Sequence, residues 1–549
     1  MIDAGNACNS LNRKAALHNI SMICTSFSSV LINIYRDPVR LIIPGDGEIQ
    51  SCEGTTQGDP LAMAMYALAI TPLIRKLNEC HPETKQVWYN DDATGAGTCI
   101  NLRKWWDFNN VLGPKYGYFP KSSKTQLVVK PGFEESARSV FEGTQVHITA
   151  GGARHLGAAI GSRKSKEEFI TKKVDEWIDE VKVLADIAST QPHAVYSALT
   201  HGVFGRWSFI TRAVPDIIDF LLPLEHSLHQ ILLPALTGRP PSSKIDREII
   251  ALPARLGGLG IPNPSTHSQS SSQASITLTA ALVNGVIAQD LDRSVSCVDI
   301  NLINDARKKI RNTNRLREIC QANKLDAQLS AAQRRLISLA KEKGASSWLT
   351  AVPVEEHGFF LNKGEFRDAL HLRYGWDIQN TPKSCVCGTS FSIDHAMTCK
   401  RGRFTIMRHN EIQDITAKLL TEVCYGVVIE PSLQPLSGET FSYGSAIVDA
   451  EARLDIKARG FWNKTQDAFF DVQVFHPNAP SYRSKDISVL YKQHESAKRR
   501  EYNQRVRDVE HGVFTPLVFS TTGSMGREGT TFNDWLTSYR TSRGSHILS

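Results

Sequence analysis

Several kinds of segment are missing from this 549-residue chain, and each absence removes a class of protein. Met1 to Arg13 has no basic stretch followed by an apolar one, so no secretory signal is read there. The apolar run from Leu61 to Ile74 is too short and too interrupted to span a bilayer, and no membrane partner is expected. No internal repeat of fixed period is present, which excludes a solenoid or propeller. The 11 cysteines are mostly scattered, which argues against a disulfide framework and for a reducing compartment.

What is there fits a globular chain of several domains, with 41% hydrophobic and 22% charged residues. The net charge of +7 is modest. Local clusters such as Lys498-Arg499-Arg500 suit a polyanion, although charge alone describes any mildly basic surface.

The most informative stretch is Trp88-Tyr89-Asn90-Asp91-Asp92-Ala93, an apolar approach ending in two adjacent carboxylates, with the turn-prone Thr94-Gly95-Ala96-Gly97 behind it. In a strand the two aspartates would face opposite sides, so a hairpin tip is where both can be displayed. Adjacent like charges raise at least one pKa unless a cation neutralises them, and hard oxygen ligands favour Mg²⁺. Taken alone, such pairs are mostly solvated loop residues. Upstream, Asp3 follows an apolar pair, and Asn9 or Ser10 is placed to cap a helix through Arg13 to Leu17. Between them lies Glu53-Gly54-Thr55-Thr56-Gln57-Gly58-Asp59-Pro60-Leu61, whose glycines let backbone approach a substrate closely and whose Asp-Pro opens a helix.

In this order, Asp3, the Gly54–Pro60 loop and Tyr89-Asn90-Asp91-Asp92 resemble motifs A, B and C of a reverse transcriptase palm. The resemblance implies that Asp3 and Asp91 hold two Mg²⁺ ions, with Asp92 in support, and that Gln57 and Gly58 lie against incoming nucleotide and template. Gly113 to Pro120 followed by Ser123-Lys124-Thr125 resembles the next palm motif, which puts Lys124 near the nucleotide phosphates. Ile148 to Gly152 and His155-Leu156-Gly157 resemble the turn that grips a primer. Asn90 stands where a small residue is usual, and Cys8 where an aromatic one helps to exclude ribose hydroxyls. The family places a fingers subdomain ahead of motif A, so a copy truncated at that motif is expected.

From Lys164 to Leu236 the apolar spacing turns helical, with Trp177, Val181, Leu184 and Ile187 on one face. By its position after the palm this would be a thumb. The Ser/Gln-rich run from Pro264 to Ser275 is the candidate linker. Asn304 to Lys343 reads as a solvated helix pair of mixed charge, without an assigned site.

Cys385, Cys387, His395 and Cys399 read as C-x-C-x₇-H-x₃-C, a ligand set able to close a tetrahedral, structural Zn²⁺ site. Behind it come an amphipathic helix opening at Arg408-His409-Asn410-Glu411 and two acidic strands, Ala452 to Ile456 and Ala468 to Val474, joined by a hairpin-like segment. A basic helix from Tyr491 to Val506 and a core strand from Thr515 to Ser520 follow. This part resembles the CCHC knuckle and restriction-like PD-(D/E)XK endonuclease of non-LTR retrotransposons. The resemblance implies Mg²⁺ ligation by Asp455 and Asp471, with Gln473 where lysine is commoner, and with Lys498 or Tyr502, one helical turn apart, supplying the missing basic or orienting group. Leu454 stands in place of the motif's proline.

The expected fold class is therefore α+β and multidomain: palm over 1–163, helical thumb over 164–263, linker and helical region over 264–383, knuckle over 384–400 and restriction-like α/β endonuclease over 401–549. The expected function is that of a non-LTR retrotransposon RNA-directed DNA polymerase and endonuclease acting by target-primed reverse transcription. Its partners would be an RNA template, a DNA target and primer, and deoxynucleoside triphosphates. It would work in the nucleus after synthesis in the cytoplasm. The alternatives are a catalytically inactive or domesticated nucleic-acid-binding remnant, or a nuclease active alone.

Overall fold

The chain forms a mostly helical α+β protein with several small sheets, described here from a computed structural model. The described residues are 1–45, 47–56, 58–289, 297–434 and 453–544. Among them, no helix is long and apolar enough to cross a membrane.

Helix α1 (Arg13–Ile23) is capped by Asn12, whose side chain accepts from the Ala15 amide at 3.0 Å. Asn9 and Ser10, the caps expected from sequence, instead belong to a preceding single turn, Ala7–Ser10. Helix α2 (Thr25–Tyr35) is followed by the β1 (Val39–Ile43) and β2 (Gly47–Ser51) hairpin. Helix α3 (Ala62–Cys80) buries Met65, Tyr66, Ala69, Ile70, Leu73 and Leu77, a 3–4 spacing that supplies the central stripe of this core. Strands β3 (Lys85–Tyr89) and β4 (Asp92–Ala96) pair antiparallel, and α4 (Cys99–Leu112) adds Trp105 and Trp106 to the same core. Short strands β5 (Gln126–Val128) and β6 (His147–Thr149) pair parallel, and β7 (Gly152–His155) and β8 (Ala158–Gly161) form a third tight hairpin.

Helices α5 (Arg163–Ala188), α6 (Pro192–Ala198), α7 (Phe204–Ala213), α8 (Lys244–Ala251), α9 (Pro264–Ala288), α10 (Cys297–Asp326), α11 (Ala331–Ala340) and α12 (Lys363–Tyr374) follow. The Ser/Gln-rich run expected as a linker is the first half of α9. Asn263 caps it by accepting from Ser265 and Thr266, and Pro264 occupies the first turn. Ser265, Ser268 and Ser272 are buried at 3–4 spacing, where their small size lets α9 lie against α7. Low hydrophobicity concealed a packed face.

The last elements are α13 (Phe404–Thr421), β9 (Tyr425–Ile429), β10 (Ile456–Arg459), β11 (Asp467–Phe475), α14 (Ile487–Asp508), β12 (Val513–Ser520) and α15 (Arg527–Gly544). Their sheet runs β12-β11-β10-β9. The β9–β10 and β10–β11 pairs are antiparallel, whereas β11 and β12 are parallel and joined through α14. Strand β11 is buried at six of its nine positions and half-buried at the other three, as a central strand requires.

The chain divides into two compact units. One comprises Met1–Glu180, Phe204–Ser227 and Asn263–Arg315; the other comprises Val181–Val203, Leu228–Pro262 and Leu316–Ser549. Residues 164–263 thus contribute to both.

Candidate functional site

In the first unit, Ile2 and Ala93 exchange backbone hydrogen bonds of 2.7 and 3.2 Å, which sets Asp3 beside the β3–β4 turn. Asn90 turns the chain with a left-handed φ of 56°, a conformation asparagine tolerates better than most residues. Asp91 and Asp92 follow at the tip, as the sequence implied. Asn90 donates to Asp91 Oδ1 at 3.0 Å, and the buried Tyr118 hydroxyl donates to the Asp91 carbonyl at 3.0 Å. Burial, then the Asp91 charge beside it, pushes the Asp92 carboxyl above its ordinary range. Lys124 lies 3.7 Å from Asp3 Oδ1, so this lysine reaches the carboxylate side of the turn.

The loop from Glu53 to Asp59 is tied to this corner. Gly54 has φ 69°, and a Cβ there would sit 2.4 Å from the Cys8 carbonyl, so only glycine fits. Arg13, 4% exposed, donates to the carbonyls of Ser51, Glu53 and Gly54. Its own amide donates to Glu53. Arg13→Ala should destabilise this unit by about 2 kcal/mol through the carbonyls left unpaired, measured by urea unfolding; an unchanged midpoint would mean water replaces the clamp. Gly58 has φ 95° with open space where a Cβ would stand. Gln57 lies outside the described residues.

In the second unit, Cys385, Cys387, His395 and Cys399 each offer a ligand atom within 4.8 Å of the others. The local fold explains how. A bridge from Ser384 to Ser390 and a bond from Gly388 N to Cys385 O close a knuckle at Gly388, φ 89°. Ser392 then caps the turn Ile393–Ala396 by accepting from His395 N at 3.2 Å, and Cys399 N donates to the His395 carbonyl at 2.8 Å. Hydrogen bonds from Thr389, and from His395 at 3.1 Å, pull the Cys387 thiol down to about 6, toward the thiolate that binds metal. The donor set fits Zn²⁺. Among the described residues it is the one group of three or more such ligands gathered this closely; neither acidic site is drawn together to that degree. Titration with Co²⁺ should give the intense thiolate-to-metal absorption of a tetrahedral sulfur site, and Cys387→Ser should lose most of it. An octahedral, weakly absorbing spectrum would contradict the assignment.

The knuckle is docked, not free. His476, at the end of β11, bonds Asp394 Oδ1 at 2.9 Å on one side and Thr521 Oγ1 at 2.7 Å on the other.

Asp455 stands one residue before β10 and Asp471 lies in β11, each next to the paired residues Ile456 and Phe470. Val472 N donates to Asp455 Oδ2 at 2.6 Å, and His409 Nε2, from α13, lies 3.2 Å from the same oxygen. That contact raises the His409 pKa. Asp471 is 4% exposed, and Lys498 Nζ, from α14, lies 3.0 Å from its Oδ2. Burial pushes the Asp471 carboxyl up to about 6 against the pull of Lys498. Of the two candidates on this helix, Lys498 reaches the acid; Tyr502 lies under the ammonium, with its ring centroid 5.3 Å from Nζ. Gln473 turns to His494 instead, at 2.9 Å, and His494 stacks on Phe475.

No protein-family model and no curated protein matches this chain.

The geometry adds two residues that sequence alone left without a role. His409 stood in view at the head of its helix, but only the docking of α13 against β10 and β11 brings it to Asp455. His494 lies one turn before Lys498, a spacing that could have suggested it.

Proposed function

We propose that this chain is an RNA-directed DNA polymerase and endonuclease of the non-LTR retrotransposon type, acting by target-primed reverse transcription. The observation that carries the proposal is the cluster of Asp455, Asp471 and Lys498, assembled from a hairpin and the helix that crosses from β11 to β12. Two carboxylates brought together at one hairpin, with an ammonium against the second, are the chemical set of a metal-dependent phosphodiesterase.

Mg²⁺, when bound, supplies charge neutralisation at the phosphate and lowers the pKa of an attacking water. Asp455 and Asp471 would hold it. Lys498 keeps Asp471 oriented and meets the charge that develops on the phosphate. His409 fixes the Asp455 oxygen it touches. In the first unit, Asp3 and Asp91 would hold Mg²⁺ for nucleotidyl transfer, with Asp92 in support, Lys124 toward the nucleotide phosphates, and Gln57 and Gly58 toward nucleotide and template. The four-ligand knuckle would carry a structural Zn²⁺. Work on chromosomal DNA places the protein in the nucleus.

A second reading is a nuclease beside a polymerase that no longer turns over. A labelled DNA primer on an RNA template, and the same primer within duplex DNA, separate the readings. With Mg²⁺ and nucleotides, extension should vanish in Asp91→Ala alone and cleavage in Asp455→Ala alone. Cleavage without extension would select the second reading. Neither activity, with binding retained, would leave only a nucleic-acid-binding remnant.

A further inference from the structure

Helix α10 carries a charge pattern that the proposed chemistry does not use. From Ala306 to Arg317 its sequence holds six cations and no acid. At about 100° per residue, Arg307, Lys308, Arg311 and Arg315 fall within an arc of about 100°. All four are exposed, and all belong to the first unit. Ile303, Ala306, Ile310 and Asn314 are half-buried on a different side of the helix, so the cationic arc is the outward one. Among the described residues no ion pair reaches any of the four. Asp305 stands one turn before Lys308, yet no ion pair joins the two. Glu318, the next acid along it, is already held by Arg255.

Like charges three and four residues apart destabilise a helix. A protein that leaves four on one face without a counter-charge lacks an anion there. The spacing says which kind: Arg307, Arg311 and Arg315 repeat every ~6 Å along the axis, four residues at 1.5 Å each, which suits a regular line of phosphates and not a single small anion. The exposed amides of Asn304 and Asn312 flank the line. An amide both donates and accepts, as does the ribose 2′-hydroxyl, which is the group that distinguishes RNA from DNA.

We infer that this face of α10 is a docking surface for the backbone of an RNA-containing duplex. The inference concerns binding, and it stands apart from whether either acidic site turns over.

Fluorescence anisotropy of the full chain in Mg²⁺-free buffer tests it, using labelled RNA duplex and DNA duplex of one length. The variant replaces Arg307, Lys308, Arg311 and Arg315 by Gln, which keeps helix propensity and removes their mutual repulsion, so the fold should be retained. Circular dichroism and a melting curve check this. RNA-duplex affinity should fall roughly 100-fold or more at low salt, and the slope of log affinity against log salt should shrink by about 3.6, roughly 0.9 for each of the lost contacts. Lys309→Gln, on the other side of the helix, should change neither. An unchanged salt slope in the fourfold variant would overturn the proposal. So would equal losses on RNA and DNA duplexes, which would reduce the face to a general polyanion surface. Cleavage and extension by wild type are scored separately, so loss of the catalytic reading would not be mistaken for loss of this one.

Discussion

Phe461→Ala should destabilise the second unit by about 3–5 kcal/mol, the range for a buried Phe truncated in a core that cannot collapse. Phe461 is fully buried at the β10–β11 turn, where one side chain joins three elements. It stacks on Phe532 at 4.9 Å and 21°, lies 4.2 Å from Trp535, and meets Phe470 edge-on at 5.3 Å. Phe470 comes from the central strand, and Phe532 and Trp535 from α15. The rings on all sides are rigid, so the void would persist. Denaturant unfolding followed by Trp fluorescence measures the loss. A cost below about 1 kcal/mol would mean that the helix moves in to fill the space, and that this aromatic cluster is not the keystone described here.

The second large effect is on chemistry. Lys498→Ala should lower DNA cleavage by roughly 10²–10⁴-fold, the range for loss of a positioned charged group in the transition state. The loss should appear mainly in kcat, since one ammonium adds little to a long nucleic-acid interface. Acidity supplies a sharper signature. The Asp471 carboxyl titrates at about 6 because burial disfavours its charged form. Below that pH a proton and Mg²⁺ compete for it, so the Mg²⁺ needed for half-maximal cleavage should climb as pH falls through 6. Lys498 holds this pKa down; without it the climb should begin at higher pH. A pH-independent Mg²⁺ requirement would remove Asp471 from the ligand set.

The same burial has a sign for stability. A carboxyl whose folded pKa lies above its unfolded value favours folding most at low pH, and that contribution is lost as pH rises through the folded value. Metal-free protein should therefore gain from Asp471 below pH 6, while the cation offsets the cost at neutral pH.

How much of this was legible beforehand depended on whether the deciding contact was local. The Asn90-Asp91-Asp92 turn was readable because a hairpin tip is set by a few adjacent residues. The knuckle was readable because its ligands lie within fifteen positions and the turn chemistry of Gly388 and Ser392 brings them round. Strand β11 was equally open to reading, but the strand expected over Ala452 to Ile456 shares only Ile456 with β10, because Lys457 to Arg459, expected in the connection, pair with β11. What failed was hydrophobicity as a guide to packing: Ser265, Ser268 and Ser272 are buried in α9, where small polar residues satisfy themselves through bonds such as Ser268 Oγ to Ser265 O at 2.9 Å. Contacts between distant elements were also closed to sequence. Nothing local couples His409 to Asp455, His476 to the knuckle, or Arg335 of α11 to the carbonyls of Pro477 and Lys485. The choice between Lys498 and Tyr502 likewise needed the placement of α14 over β11.

We propose that one chain both cuts DNA and copies RNA from the cut end. It is tested most directly with an internally labelled DNA duplex, an RNA template, nucleotides and Mg²⁺ in a single reaction. A shortened strand should form and then lengthen with time; Asp455→Ala should abolish both products, and Asp91→Ala should leave the shortened strand unextended. A duplex left intact by wild type, or a nick that persists equally in Asp455→Ala, would contradict it.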